Sequence, residues 1–303
     1  MKPFHSPSKS TATIANATSL IVDEAGTFND MLNNVNSSSI SSVFENMHWL
    51  MIGDSLTRYQ YLHLVYFIKH GKWVDSSMRP NPTFEDTYPS WTYYFNSTNS
   101  ALLPEEQCDC FRQEGGFNHS NSNENRYFSD TSRNISITYI QKMGSLAAFK
   151  SSWNATDVHN EHLLVSDVPE LNYVYNNANW TDFIQNFVSK LEPKPEYVIF
   201  NEGLWGPSYY DDPAVRKRII QAISDAGMIS VYKTTTRNRR QNFRDTKPKA
   251  YELDFCELAD LCYNVSWTGK VTKKFYWDWC HFHPPVYEYL NLQLFELLLN
   301  IDK

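Results

Sequence analysis

No stretch of this chain is long and apolar enough to span a bilayer, and its opening residues, MKPFHSPSKSTATIANATS, lack the apolar centre of a secretory leader. Two readings follow: a cytosolic protein, or one whose targeting segment or membrane anchor is missing from this sequence. An excess of basic charge is absent too. The net charge is −7, which argues against a general nucleic-acid binder or a binder of anionic membranes. The five cysteines, Cys108, Cys110, Cys256, Cys262 and Cys280, lack zinc-finger spacing. Two disulfides and one remaining thiol are expected, with the connectivity open. No internal repeat is present.

What the chain does have is aromatics, 15% of its residues, and Asn-x-Ser/Thr sequons. The sequons fall at Asn16, Asn36, Asn96, Asn118, Asn134, Asn154, Asn179 and Asn264. Roughly four would arise by chance from so Asn- and Ser/Thr-rich a composition. The excess, taken with the cysteines, favours the lumen of the secretory pathway (Golgi-like) or the cell exterior.

Residues 1–42 are rich in Ser, Thr and Asn and read as a flexible arm, with one short helix near Phe28–Leu32. From 43 to 303 the pattern is that of one domain. His48–Gly53 reads as a buried strand running directly into Asp54-Ser55. Residues 56–70 follow with helical apolar spacing, stopped by Gly71. Residues 72–133 are irregular and carry Pro80, Pro82, Pro89, Pro104 and the Cys108/Cys110 pair, which predicts a large insertion with short strands such as Trp91–Phe95. Strands are predicted at Asn134–Met143, Leu163–Val168, Glu196–Asn201 and Met228–Thr234. Helices are predicted at Trp180–Leu191, from Asp212-Pro213 to Gly227, and from Pro284-Pro285 onward. Strands alternating with helices imply an α/β fold, a mostly parallel sheet with helices on both faces.

Two short segments could carry chemistry. At Gly53-Asp54-Ser55 a strand meets a helix, so the hydroxyl sits at the carboxyl end of a parallel sheet, beside the free N–H groups of a helix start. On this segment alone, a nucleophilic Ser55 and a simple N-cap are evenly matched. Near the other end, Asp278-Trp-Cys-His281 lets a carboxylate hold the imidazole Nδ1 and leaves Nε2 to accept a serine proton. The cluster Asp278, Cys280, His281 and His283 also invites a metal, but four candidate ligands within six residues do not easily face one ion.

Gly53-Asp-Ser-Leu56 together with Asp278-x-x-His281 resembles the SGNH/GDSL hydrolase superfamily. The longer Gly53-Asp-Ser-Leu-Thr-Arg-Tyr-Gln60 is similar to its PC-esterase branch, which includes the trichome-birefringence-like polysaccharide O-acetyltransferases of plants. The resemblance implies a three-layer α/β/α sandwich; no cofactor and no metal are expected. It implies Ser55, Asp278 and His281 as catalytic triad, and an oxyanion hole from the Ser55 N–H, Gly144 and Asn201. Tyr59 departs from the Asn usual in the plant enzymes, and the plant-type cysteine-rich N-terminal signature is absent.

Arg58, Trp91, Tyr93, Trp205 and His283 are the expected substrate contacts: Arg58 by the resemblance, in which an Arg follows the serine by three positions, and the insertion aromatics because aromatic faces stack on sugar rings. The aromatics near Trp91 serve equally as a satellite core under a long loop. The basic run Arg237–Lys249 suits an acidic sugar or phosphate, although a solvated loop is the commoner use. The expected activity is O-acyl transfer, from an acetyl ester or thioester to a carbohydrate hydroxyl. Its alternatives are a carbohydrate acetylesterase and a non-catalytic carbohydrate-binding protein on the same fold.

Overall fold

The computed structural model describes residues 44–74, 101–110, 124–144, 149–150, 176–177, 179–201, 213–234, 250–253, 281–282 and 284–301. The predicted N-terminal arm, the strands at Trp91–Phe95 and Leu163–Val168, the basic run and Cys256, Cys262 and Cys280 lie outside them.

The chain enters through strand β1, Met47–Gly53, and turns at Asp54 into helix α1, Ser55–His70. Strands β2 (Glu106–Cys110), β3 (Glu124–Asp130) and β4 (Ile135–Gln141) follow. A separate two-stranded pair is formed by β5 (Phe149–Lys150) and β6 (Asn176–Asn177). Helix α2 (Trp180–Asn186) runs into a 3₁₀ turn at Val188–Lys190 and leads to β7, Tyr197–Phe200. Then come α3 (Pro213–Asp225), β8 (Ile229–Lys233), β9 (Ala250–Leu253) and α4 (Pro284–Ile301).

Seven strands join in one sheet in the order β2-β3-β4-β1-β7-β8-β9. The run from β4 to β9 is parallel, and β2 and β3 extend its edge in antiparallel fashion. The expected α/β fold with a mostly parallel sheet is therefore present. Two strands of that sheet come from the irregular 72–133 segment. The short β9, which follows the basic run, has no counterpart among the predicted strands.

The buried strands read as near-continuous apolar runs because both faces are covered. Successive side chains alternate between two clusters. Trp49 and Met51 of β1, with Tyr197 and Ile199 of β7, join Leu56, Leu62, Tyr287 and Leu290 of α1 and α4. Leu50 and Ile52, with Val198 and Phe200, join Phe183 of α2 and Ile219 and Ile223 of α3. Each such side chain contributes about 1.5–3 kcal/mol relative to exposure.

Local signals set the ends of α1. The Asp54 carboxylate accepts the Leu56 N–H at 3.0 Å, capping the start, and Gly71 closes the helix in the left-handed region at φ 65°, its N–H bonded to Phe67. Helices α3 and α4 each begin at a proline, which has no N–H to leave unsatisfied in a first turn. Among the described residues no helix is long and apolar enough to cross a membrane.

Candidate active site

Strand β1 lies between β4 and β7, and the chain leaves β1 for β4 on one side and later passes to β7 on the other. A parallel sheet opens a crevice at the carboxyl ends of its strands where the connections diverge in this way. Ser55 follows β1, Gly144 follows β4 and Asn201 follows β7, so three predicted site residues stand at that one edge. The ladder continues past the strand ends. The Lys142 N–H donates to the Gly53 carbonyl at 2.7 Å, and the Asn201 N–H donates to the Ile52 carbonyl at 3.0 Å. Gly144 is buried at φ 80°, a backbone shape that glycine adopts without the clash of a Cβ.

The Ser55 hydroxyl is 2.7 Å from Nε2 of His281, although 226 residues separate the two in the chain. Ser55 is buried and His281 is half-buried, so the pair lies just below the surface. The imidazole meets the Tyr59 ring edge-on, centroids 5.4 Å apart at 80°. Tyr59 rests on Tyr287 of α4 at 5.5 Å, and the Tyr287 hydroxyl accepts the Phe282 N–H at 3.2 Å. The backbone next to His281 is thus tied to α4, while its ring is tied to α1.

Arg58 is buried with its guanidinium 4.9 Å from the Tyr59 ring centroid. Asp278, Trp91, Tyr93, Trp205 and His283 lie outside the described residues. No group of metal-ligating side chains occurs among the described residues.

Several groups beneath the turn were not singled out in the sequence. The buried Tyr139 hydroxyl on β4 reaches the Gly53 and Asp54 carbonyls at 3.0 and 3.1 Å. Lys233, at the end of β8, is buried and its Nζ donates to Thr57 Oγ1 at 2.7 Å. Its carbonyl accepts from Asn201 Nδ2 at 2.9 Å. The signal for Lys233 was present in the strand period. Val231 faces the α1 side of the sheet, so Lys233, two residues on, faces it as well.

Burial pushes the Lys233 amine down to about 7, against a weaker opposing pull from the Asp54 carboxylate. Its unfolded value is the ordinary one near 10.5. Between these limits the unfolded chain binds a proton that the folded chain does not, so this group makes folding more favourable as pH rises. Lys233→Met removes that dependence. The variant is expected to gain stability relative to wild type at about pH 6 and to lose the advantage by about pH 9.5, a change on the order of 3 kcal/mol. Urea midpoints across that range measure it, and parallel curves for the two proteins would contradict it.

Compared with protein-family models and with curated proteins, the chain matches none of them.

Proposed function

We propose that this chain is a serine acyl-transfer enzyme of the SGNH type, moving an acetyl group through an acyl-serine to a carbohydrate hydroxyl. The observation that carries the reading is the 2.7 Å contact between Ser55 Oγ and His281 Nε2 at the carboxyl edge of a parallel sheet. The helix clusters on the two sheet faces favour the three-layer α/β/α architecture that goes with it, with residues 72–133 as a loop-rich elaboration. The sequons and cysteines favour a secretory or extracellular setting.

In this mechanism His281 Nε2 takes the Ser55 proton as Oγ attacks the acyl carbonyl. Asp278 holds the imidazole through Nδ1. The developing oxyanion is held by the Ser55 N–H at the start of α1, the Gly144 N–H and the Asn201 amide. An amide nitrogen carries two hydrogens, and the one given to the Lys233 carbonyl orients the other. The leaving group departs with the proton from His281. An acceptor hydroxyl then gives its proton to His281, attacks the acyl-serine and restores Ser55. Arg58, Trp91, Tyr93, Trp205 and His283 serve the acceptor in this scheme, the aromatic rings as sugar-stacking faces.

The test is a single-turnover chase. The full chain is acetylated with an activated acetyl ester, and the label is followed on protein, added oligosaccharide and free acetate. The adduct is expected on Ser55, stable in buffer and discharged to the sugar. Replacing Trp91 and Tyr93 by alanine is expected to slow the discharge without blocking the adduct. Rapid release as acetate, indifferent to every acceptor, would instead assign a carbohydrate acetylesterase. No adduct on Ser55 would remove the acyl-enzyme reading.

A further inference from the structure

We propose that Lys233 is a positioning residue that locks the Ser55 turn to the end of β7, holding nucleophile and oxyanion donor in one frame. The catalytic meaning of this lock rests on the acyl-serine reading; the lock itself rests on contacts. Lys233 reaches both halves of the site. Its Nζ donates to Thr57 Oγ1 at 2.7 Å, in the first turn of the helix that Ser55 begins. Its carbonyl accepts the Asn201 side-chain amide at 2.9 Å. A shift of Lys233 therefore moves α1 and Asn201 together.

The turn above is packed tightly onto Thr57. A Cβ placed on Gly53 would stand 2.2 Å from Thr57 Oγ1, well inside contact distance. Only glycine allows the strand end to come so close to that hydroxyl. Gly53, Thr57 and Lys233 thus form a column from the nucleophile turn to β8, with Oγ1 at its centre. Tyr139 supports the same turn from β4 through the Gly53 and Asp54 carbonyls.

The groups bearing on the amine come from several elements. Asp54 acts on it from the β1–α1 turn and Thr57 from α1, while Asn201, at the end of β7, meets the backbone carbonyl of the same residue. At the end of β8 the Thr234 N–H donates to Leu253 of β9 at 3.1 Å, anchoring the backbone that carries the lysine. Burying an amine costs more than burying a methionine of similar length. Here it gains a directed donor onto one hydroxyl, which an apolar side chain cannot supply. An error of about 1 Å in the placement of a reacting group can cost about 100-fold in rate, so such a lock bears directly on acylation.

The experiment uses the full chain, with Lys233→Met, Thr57→Val and the double variant. A fluorophosphonate probe reports the nucleophile: the Ser55 Oγ–P bond forms, P–F breaks, and the serine proton passes to His281. Labelling of wild type at Ser55 tests the acyl-serine reading by itself. Given that labelling, Lys233→Met is expected to lower the limiting inactivation rate about 10- to 100-fold, with the half-saturating probe concentration nearly unchanged. Thr57→Val is expected to act in the same direction, and the double variant to be no slower than Lys233→Met. Amide exchange at residues 54–58 is expected to quicken about tenfold or more in both single variants. Strictly additive rate losses, or unchanged rate and exchange, would overturn the lock. If wild type is not labelled at Ser55, the acyl-serine reading falls and exchange alone decides: faster exchange in both variants supports the lock, and unchanged exchange overturns it.

Discussion

Ser55→Ala is expected to abolish formation of the acetyl-enzyme and to lower turnover by about 10³-fold or more, while the protein remains folded. The two halves of that expectation have separate causes. Ser55 Oγ is the oxygen that meets His281 Nε2 at 2.7 Å, and alanine has no atom to replace it. The fold loses little, because the helix cap is made by the Asp54 carboxylate and the turn is held by Tyr139, none of which the change touches. Intact mass after incubation with an activated acetyl ester, beside a thermal melt, measures both. A folded Ser55→Ala protein that turns over near the wild-type rate would remove Ser55 from the chemistry.

His281→Ala is expected to be comparably severe, about 10³-fold in kcat, with substrate binding largely kept. The imidazole lies within hydrogen-bonding distance of the hydroxyl, and it is fixed from two sides: by the Tyr59 ring at 5.4 Å and, through the Phe282 N–H, by the Tyr287 hydroxyl of α4. His283→Ala should be far milder, and Asp278→Asn should lower kcat more than it raises KM. Initial rates for the three variants separate these roles. An inactive His283→Ala beside an active His281→Ala would mean that the wrong histidine has been assigned.

Much of the frame was legible in the chain because its signals are local. The apolar run Trp49–Ile52 marks a strand buried on both faces, and Asp54 before an apolar-periodic segment marks a helix start. Gly71 marks the end of that helix, and Pro213 and Pro284 mark two further starts. The predicted helix from Trp180 to Leu191 was longer than the observed one. Phe187 leaves helical geometry at φ −120°, and the chain tightens into a 3₁₀ turn before Pro193. The strand pairing of Glu106–Cys110 and Glu124–Asp130 was not legible, since an irregular composition hides a register set only by the partner strand.

By itself the sequence determined which residue types meet at the candidate site: a serine at a strand-to-helix turn, a histidine just before the last helix, and a Gly and an Asn after other strands. Tertiary structure alone decided that Ser55 and His281, 226 residues apart, come within hydrogen-bonding reach. That proximity depends on α1 and α4 packing on the same sheet face, where Tyr59 meets Tyr287. Tertiary structure also brought Lys233 under Thr57, by setting β8 next to β7 and β7 next to β1. The alternation of a strand tells which face a side chain takes, but not which helix covers that face, because cover is decided by contacts between segments distant in the chain.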